Sequence, residues 1–252
     1  MRIAVRLILL SLPVIVAFQA AAQKKDYQVT AISFYNFENL FDTEDDLSNW
    51  GDDEFLPGGS YRYTRDIYEK KLSNLATVIS KLGTDITPDG PAIIGTAEIE
   101  NARVLQDLII QLQIRDRGYA FVHYDGPDVR GIDVALLYNP KYFHVLSAQP
   151  LKVRLKEYGE RGGRTRDILY VSGLLAGDTV HVLVNHWPSR RGGEAATAHL
   201  RARAAGICRH AIDSILQTNA NARVMVMGDL NDDPLSASVT TVLGAKHDSK
   251  KI

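Results

Sequence analysis

Eight short runs of apolar or alternating residues, rich in β-branched and aromatic side chains, occur with only three segments of helical periodicity. The strand-like runs are 29–36, 92–97, 119–124, 132–138, 143–153, 167–175, 179–185 and 223–228. The helical segments are 65–82, 102–114 and 194–216; the first repeats apolar residues at Ile67, Leu72, Leu75, Val78, Ile79 and Leu82 and meets a left-handed stop signal at Gly83. Strand and helix alternate at both ends of the chain, as in strand–helix–strand crossovers, while the middle reads as a meander. A layered α/β sandwich, two mixed sheets face to face with helices outside, accommodates both patterns. A doubly wound nucleotide-binding sheet fits less well, because the middle strands lack helices and no G-x-G-x-x-G follows the first strand. Residues 42–61 and 157–165, rich in charge and glycine, read as surface loops of one domain.

The chain has 252 residues, 45% hydrophobic and 23% charged, enough for one large domain with its own core. Its net charge of −1 supplies no overall positive field for nucleic acid or anionic lipid, so phosphate recognition must come from local arginines. The start has the layout of a secretory signal peptide: Arg2 and Arg6, an apolar run over 7–18, and small residues at Ala20, Ala21 and Ala22. The apolar run is too short to span a bilayer comfortably, although an uncleaved anchor is the alternative. No cysteine lies near the cut site, which argues against a lipid anchor there. Residues 1–22 are therefore expected to be removed, leaving 23–252 as an exported domain, periplasmic or secreted, with no stable membrane insertion. Cys208 is the only cysteine, so no intramolecular disulfide can form, and it reads as a small buried residue of the last helix.

Four polar clusters sit where strands run into loops. The first leads from Ser33 through Asn36, Asn39 and Asp42; a strand-ending Asn is by itself an ordinary turn former. The second is Ile-Ile-Gly-Thr-Ala followed by Glu98, Ile99, Glu100 and Asn101. An acid directly after an apolar strand must face water or a cation, or serve the dipole of the following helix. The third, Asn185-His186-Trp187-Pro188-Ser189-Arg190-Arg191, joins an imidazole that can move a proton or donate to phosphate with arginines that can clamp one. The fourth is Gly228-Asp229-Leu230-Asn231, where glycine permits a tight exit and Asp229 and Asn231 share a face if the strand continues.

Taken together, in this order, the clusters resemble the endonuclease/exonuclease/phosphatase superfamily with its deoxyribonuclease-I-like fold, over nearly all of residues 29–240. The nearest resemblance is to secreted bacterial members with an Asn-Leu-Phe-Asp start, a Gly-Ile-Asp-Val-Ala-Leu-Leu-Tyr strand (Gly131 to Tyr138) and an Asn-His-Trp-Pro-Ser-Arg loop. The resemblance implies a four-layer α/β sandwich and a metal-dependent phosphoesterase. It makes Glu98 the principal ligand of Mg²⁺ or Mn²⁺, with Asn36 close by. Asp229 would orient or deprotonate the attacking water. His186, Asn231 and either Arg166 or Arg190 would donate to the phosphate oxygens. Asp133 would orient a histidine, with a plain ion pair to Arg130 as the alternative.

One departure stands out. Members of this superfamily end in a strand followed by an Asp-His pair, and none follows Asn231 here; His247-Asp248 has the reverse order in a lysine-rich end. The expectation is therefore a domain incomplete at its C-terminus, its final strands missing. The expected substrate is a phosphodiester, nucleic acid first, cleaved by a monomer. A lipid or small-molecule phosphoester is the rival substrate, and an inactive binding module or fragment the alternative of another class.

Overall fold

A computed structural model of the chain describes residues 28–47, 49–155 and 163–246. The expected leader (1–22), the pair His247-Asp248 and most of the 157–165 loop lie outside the described residues. The strands are β1 (Ile32–Leu40), β2 (Ile93–Ile99), β3 (Ala120–His123), β4 (Asp133–Tyr138), β5 (Phe143–Leu151), β6 (Ile168–Leu175), β7 (Asp178–His186) and β8 (Arg223–Asp229). The helices are α1 (Arg65–Ile79), α2 (Ala102–Ile109) and α3 (Glu194–Thr218).

The strands form two four-stranded sheets, ordered β1-β2-β4-β3 and β5-β6-β7-β8. Each is mixed. β1 and β2 run parallel across the α1 connection, β7 and β8 run parallel across α3, and the remaining neighbours are antiparallel. Strand periodicity then sorts side chains into layers. In β4, Val134 and Leu136 point between the sheets, whereas Ala135 and Leu137 point to the α1/α2 side. In β7, Val182 and Val184 enter the intersheet core, whereas Leu183 meets α3 through Leu200, Ala204 and Cys208. Both faces of the central strands are thus buried, and the result is the expected four-layer sandwich. The sheets approach closely where β2 faces β8: a Cβ on Gly95 would lie 2.5 Å from the Met227 sulfur. Cys208 is fully buried, as its helical pattern suggested.

Three boundaries differ from the sequence expectation. α1 stops at Ile79, and Gly83 takes its left-handed conformation (φ 63°) in the following turn rather than at the helix end. α2 starts on an Asn101 cap, whose side chain accepts the Arg103 and Val104 amides, and ends at Ile109. Ile114 extended the apolar pattern because it is buried from the turn beyond, in the same core but outside the helix. β1 runs past Asn36 to Leu40, across a register irregularity between those residues. Asn36 therefore lies inside a bulged strand, not at its end.

Leu136 is fully buried in a central strand between the sheets. Leu136→Ala is expected to lower the unfolding free energy by about 2–5 kcal/mol, the range for truncating a packed leucine. Urea unfolding checks this; a change below about 0.5 kcal/mol would mean that the intersheet layer does not carry the fold.

Candidate active site

The two parallel pairs deliver their C-terminal ends to the same edge of the sandwich. Asn36 lies in β1 and pairs in register with Ala97 of β2, one residue before Glu98. His186 and Asp229 are the last residues of β7 and β8 and are register partners. Two contacts cross between the sheets here. Asn36 Nδ2 donates to Asp229 Oδ2 at 3.2 Å, and His186 Nε2 stands 3.7 Å from Glu98 Oε1.

Local backbone geometry aims these groups. Ala97 points into the intersheet core and Ile99 to the opposite, helix-facing core. Residues two apart in a regular strand would share a face, so the register shift between them is what turns the chain. Glu98 occupies the shift with a left-handed backbone (φ 60°), as do Glu38 (53°) and Asn39 (60°) in the β1 bulge. Such conformations cost a non-glycine residue roughly 1–3 kcal/mol and persist only where the surroundings impose them. Lys71 of α1 helps impose the β1 bulge by donating to the carbonyls of Glu38 and Asn39, the latter at 3.0 Å. Asn36 Oδ1 in turn accepts the Glu38 amide at 2.8 Å.

On the second sheet the residues flanking His186 lock its loop. Asn185 Oδ1 accepts from Trp187 Nε1 (2.9 Å) and from the Cys208 thiol (3.0 Å). Its Nδ2 donates to the Leu183 and Met227 carbonyls. The Trp187 amide donates to the Asp229 carbonyl at 2.9 Å, tying the His186 loop to β8. Gly228 is required where the strands meet, because at φ 150° a Cβ would lie 2.1 Å from the Asn185 carbonyl oxygen.

Asn231 reaches the site by a different route from the one expected. β8 ends at Asp229, and Asn231 is left-handed (φ 48°), so the two side chains do not share a strand face. Instead the Asn231 amide donates to Asp229 Oδ1 at 3.0 Å, and its Nδ2 donates to the Trp187 carbonyl at 3.0 Å. Both arginines singled out in the sequence hold the site's frame. Arg166, buried, donates to the His186 and Trp187 carbonyls (3.2 and 2.7 Å) and to Asp128 Oδ2 (3.0 Å). Arg190 donates to the Asn231 carbonyl (2.9 Å) and to Glu194, Asp232 and Asp233. Asp133 stands 3.3 Å from a histidine, His123 on β3. Arg130, the alternative partner, lies beside Glu98 at 3.8 Å and donates to Asn39 Oδ1. His123, Asp128 and Lys71 thus join the neighbourhood unannounced, since none belongs to a cluster legible in the sequence, and Arg130 joins it through Glu98 and Asn39 rather than through Asp133.

Burial, with the Arg166 and Arg130 charges beside it, pushes the His186 imidazole down to about 3, so at neutral pH it is an uncharged donor. Its Nδ1 is buried with no hydrogen-bond partner among the described residues. Glu98 is the group best suited to a cation. Its carboxylate side chain is 14% exposed, and its ion-pair nitrogens, at 3.7 and 3.8 Å, lie beyond hydrogen-bond reach. A poorly hydrated carboxylate of this kind is a hard-oxygen donor that suits Mg²⁺ or Mn²⁺. The Glu98 carboxylate therefore fits a divalent metal, and the Asn36–Asp229 pair lies at the same edge of the sandwich.

Two facing mixed sheets that gather a carboxylate, an amide–aspartate pair and a histidine at one edge define a class of phosphoester-hydrolysing enzymes. The Endonuclease/Exonuclease/phosphatase family model matches residues 31–252, and the chain belongs to that family. Among solved structures, the mannosyl-6-phosphatase of Bacteroides thetaiotaomicron shares the fold at 15% identity and a TM-score of 0.54, over 86% of this chain and 70% of that one. The human Nocturnin catalytic domain with bound sulfate aligns at 15% identity and TM-score 0.50, over 68% of this chain and 60% of its own. ANGEL2, a 2′,3′-cyclic phosphatase, aligns at 14% and 0.50, over 71% and 52%. The chain thus spans less than two thirds of the length of the latter two structures. No curated protein matches the sequence.

Glu100, two residues beyond Glu98, supplies a pH test of this edge of the fold. It is buried, accepts the Asp42 amide at 2.8 Å, and is pushed up to about 8 by burial and by the charges of Asp42, Asp52 and Asp46. Unfolded, it would titrate near 4.5, so between these values the folded chain holds a proton that the unfolded chain releases. Its contribution to stability is therefore fully present below about 4.5 and is lost as pH rises towards 8. Glu100→Gln, which keeps the acceptor oxygen and removes the charge, should flatten that decline in unfolding free energy. Identical pH profiles for the two proteins would show that Glu100 is not charged on a buried edge.

Proposed function

We propose that this chain is a divalent-metal-dependent phosphodiesterase whose first substrate is nucleic acid. The observation that carries the reading is Glu98: a largely buried carboxylate, turned out by a strand bulge, without a hydrogen-bonding cation, facing a neutral histidine from the other sheet at the edge where the Asn36–Asp229 pair crosses between the sheets. When bound there, Mg²⁺ or Mn²⁺ supplies a Lewis acid that neutralises a phosphate oxygen. Glu98 and Asn36 would hold the ion. Asp229, fixed by Asn36 and by the Asn231 amide, orients and deprotonates the attacking water. Uncharged His186 donates to a nonbridging oxygen, and Asn231 lines the same edge. Arg166 and Arg190 keep the His186 and Asn231 loops in place, and Arg130, with 46% of its side chain exposed beside Glu98 and anchored on Asn39, is a cation that would face a bound phosphate.

A second reading, a lipid or small-molecule phosphoesterase, is favoured by the net charge of −1, which weakens non-specific attraction to nucleic acid. A mannosyl-6-phosphatase of the same fold supports this reading. We also propose that the protein is exported with residues 1–22 removed. N-terminal sequencing of protein from the periplasm or medium should then begin near Gln23. Met1 retained on a membrane fraction would contradict export.

The functional test compares DNA, RNA, a sphingomyelin vesicle and a small phosphodiester as substrates with Mg²⁺ or Mn²⁺. Nucleic acid should be cleaved fastest, with Glu98→Gln inactive at every metal concentration and His186→Ala lowered roughly 10²–10³-fold, as for loss of one oxyanion donor. Preference for the small ester or lipid selects the second reading. Unchanged turnover in Glu98→Gln would refute the metal assignment itself.

A further inference from the structure

The acidic stretch after β1 reads in sequence as a solvated excursion, but it folds down onto the protein. Phe41 and Phe55 stack with ring centroids 4.0 Å apart, and Phe55 stacks on Tyr61 at 4.9 Å. Within this packed loop Asp52 is only 1% exposed. One of its oxygens, Oδ2, accepts the Asp46 amide at 2.8 Å. The other, Oδ1, is buried with no hydrogen-bond partner among the described residues. An orphaned carboxylate oxygen out of water is an expensive arrangement. It is made worse here because the side-chain charges acting on Asp52 are those of Asp45 and Asp53, of its own sign; burial first, then these charges, push its carboxyl up.

Those two neighbours also converge on it. Asp45, Asp52 and Asp53 each place a carboxylate oxygen within 4.8 Å of the others. Calcium binds oxygen at about 2.3–2.6 Å, so donors across its sphere stand up to about 5 Å apart. Magnesium, at about 2.0–2.1 Å, spans only about 4 Å, and it seldom takes a cage built from several protein carboxylates. Three hard anionic donors from protein carboxylates and a buried oxygen lacking any donor suit calcium, which takes such cages, better than magnesium, which keeps its waters.

We propose that Asp45, Asp52 and Asp53 form a calcium site, with Asp52 Oδ1 as its buried ligand and water completing the shell. The ion would cancel the mutual repulsion of the three carboxylates and pin the segment between β1, which carries Asn36, and α1, which carries Lys71. The site is separate from the proposed metal position at Glu98 and does not depend on it.

The test is calcium titration by calorimetry, from about 10⁻⁵ to 10⁻² M, with heat unfolding in parallel. It uses the full chain in four forms: unaltered, Glu98→Gln, Asp52→Asn and Asp53→Asn. Glu98→Gln lacks the proposed active-site ligand and should show one saturable calcium site, with a melting temperature raised by calcium but not by equal magnesium. Asp53→Asn, which alters an exposed side chain and leaves the packed Asp52 in place, should weaken that binding at least tenfold; Asp52→Asn should lose the calcium-dependent rise. The proposal is overturned if calcium binding is absent, if it vanishes in Glu98→Gln, or if Asp53→Asn binds as tightly as Glu98→Gln does. Loss in Glu98→Gln would leave the phosphoesterase reading intact, and inactivity of the unaltered chain would leave the calcium result intact.

Discussion

The hydrogen bond from Asn36 to Asp229 joins side chains 193 positions apart in sequence, one on each sheet, at the edge where the parallel strand pairs end. Much else at this edge is organised around that crossing. Asn36 is the last residue in regular register with β2 before β1 bulges, and the bulge is held by Lys71 from α1. Asp229 is held from its other oxygen by the Asn231 amide, which requires Asn231 to turn left-handed directly after β8. The Asp229 carbonyl then accepts the Trp187 amide, so the histidine loop is placed by the same strand end. The site is therefore a property of the packed sandwich, and neither sheet contains it alone.

Electrostatics follow from the same packing. Carboxylates gather at this edge from both sheets: Glu98, Glu100, Asp128, Asp133 and Asp229. The cations that balance them are largely engaged in structure, Arg166 with Asp128 and two carbonyls, Arg190 with the β8 exit. Burial leaves His186 uncharged, and Glu98 faces its nearest positive group at 3.8 Å. Negative charge held in partly dry surroundings without close partners favours binding a hard cation. The arrangement costs stability in the bare protein, and this kind of cost is typical of sites organised for charge chemistry.

The sequence made the fold class legible because strand and helix periods are local. The largely apolar run over 132–138 announced a strand, and β4 occupies it, buried along most of its length. Four polar clusters could be recognised because strand-end acids, amides and histidines are conspicuous after apolar runs. What the sequence could not carry is partner choice. Arg166 looked free to hold phosphate, yet its partners lie 20, 21 and 38 residues away and only the folded sheets bring them near. Asp133 met His123 across an antiparallel pair that no spacing rule specifies. The bulges at Glu98 and Glu38–Asn39 were equally hidden, since they place non-glycine residues in left-handed backbone that local preference disfavours.

The central claim is that residues of both sheets form one metal-binding phosphoesterase site around Glu98. Its most direct measurement is anomalous diffraction from crystals soaked in Mn²⁺ and inorganic phosphate. The account predicts a manganese peak on the Glu98 carboxylate, between Asn36 and Asp229, with phosphate density within hydrogen-bond reach of His186. A well-diffracting soak with no manganese at Glu98, or with manganese and phosphate together elsewhere on the molecule, would contradict it.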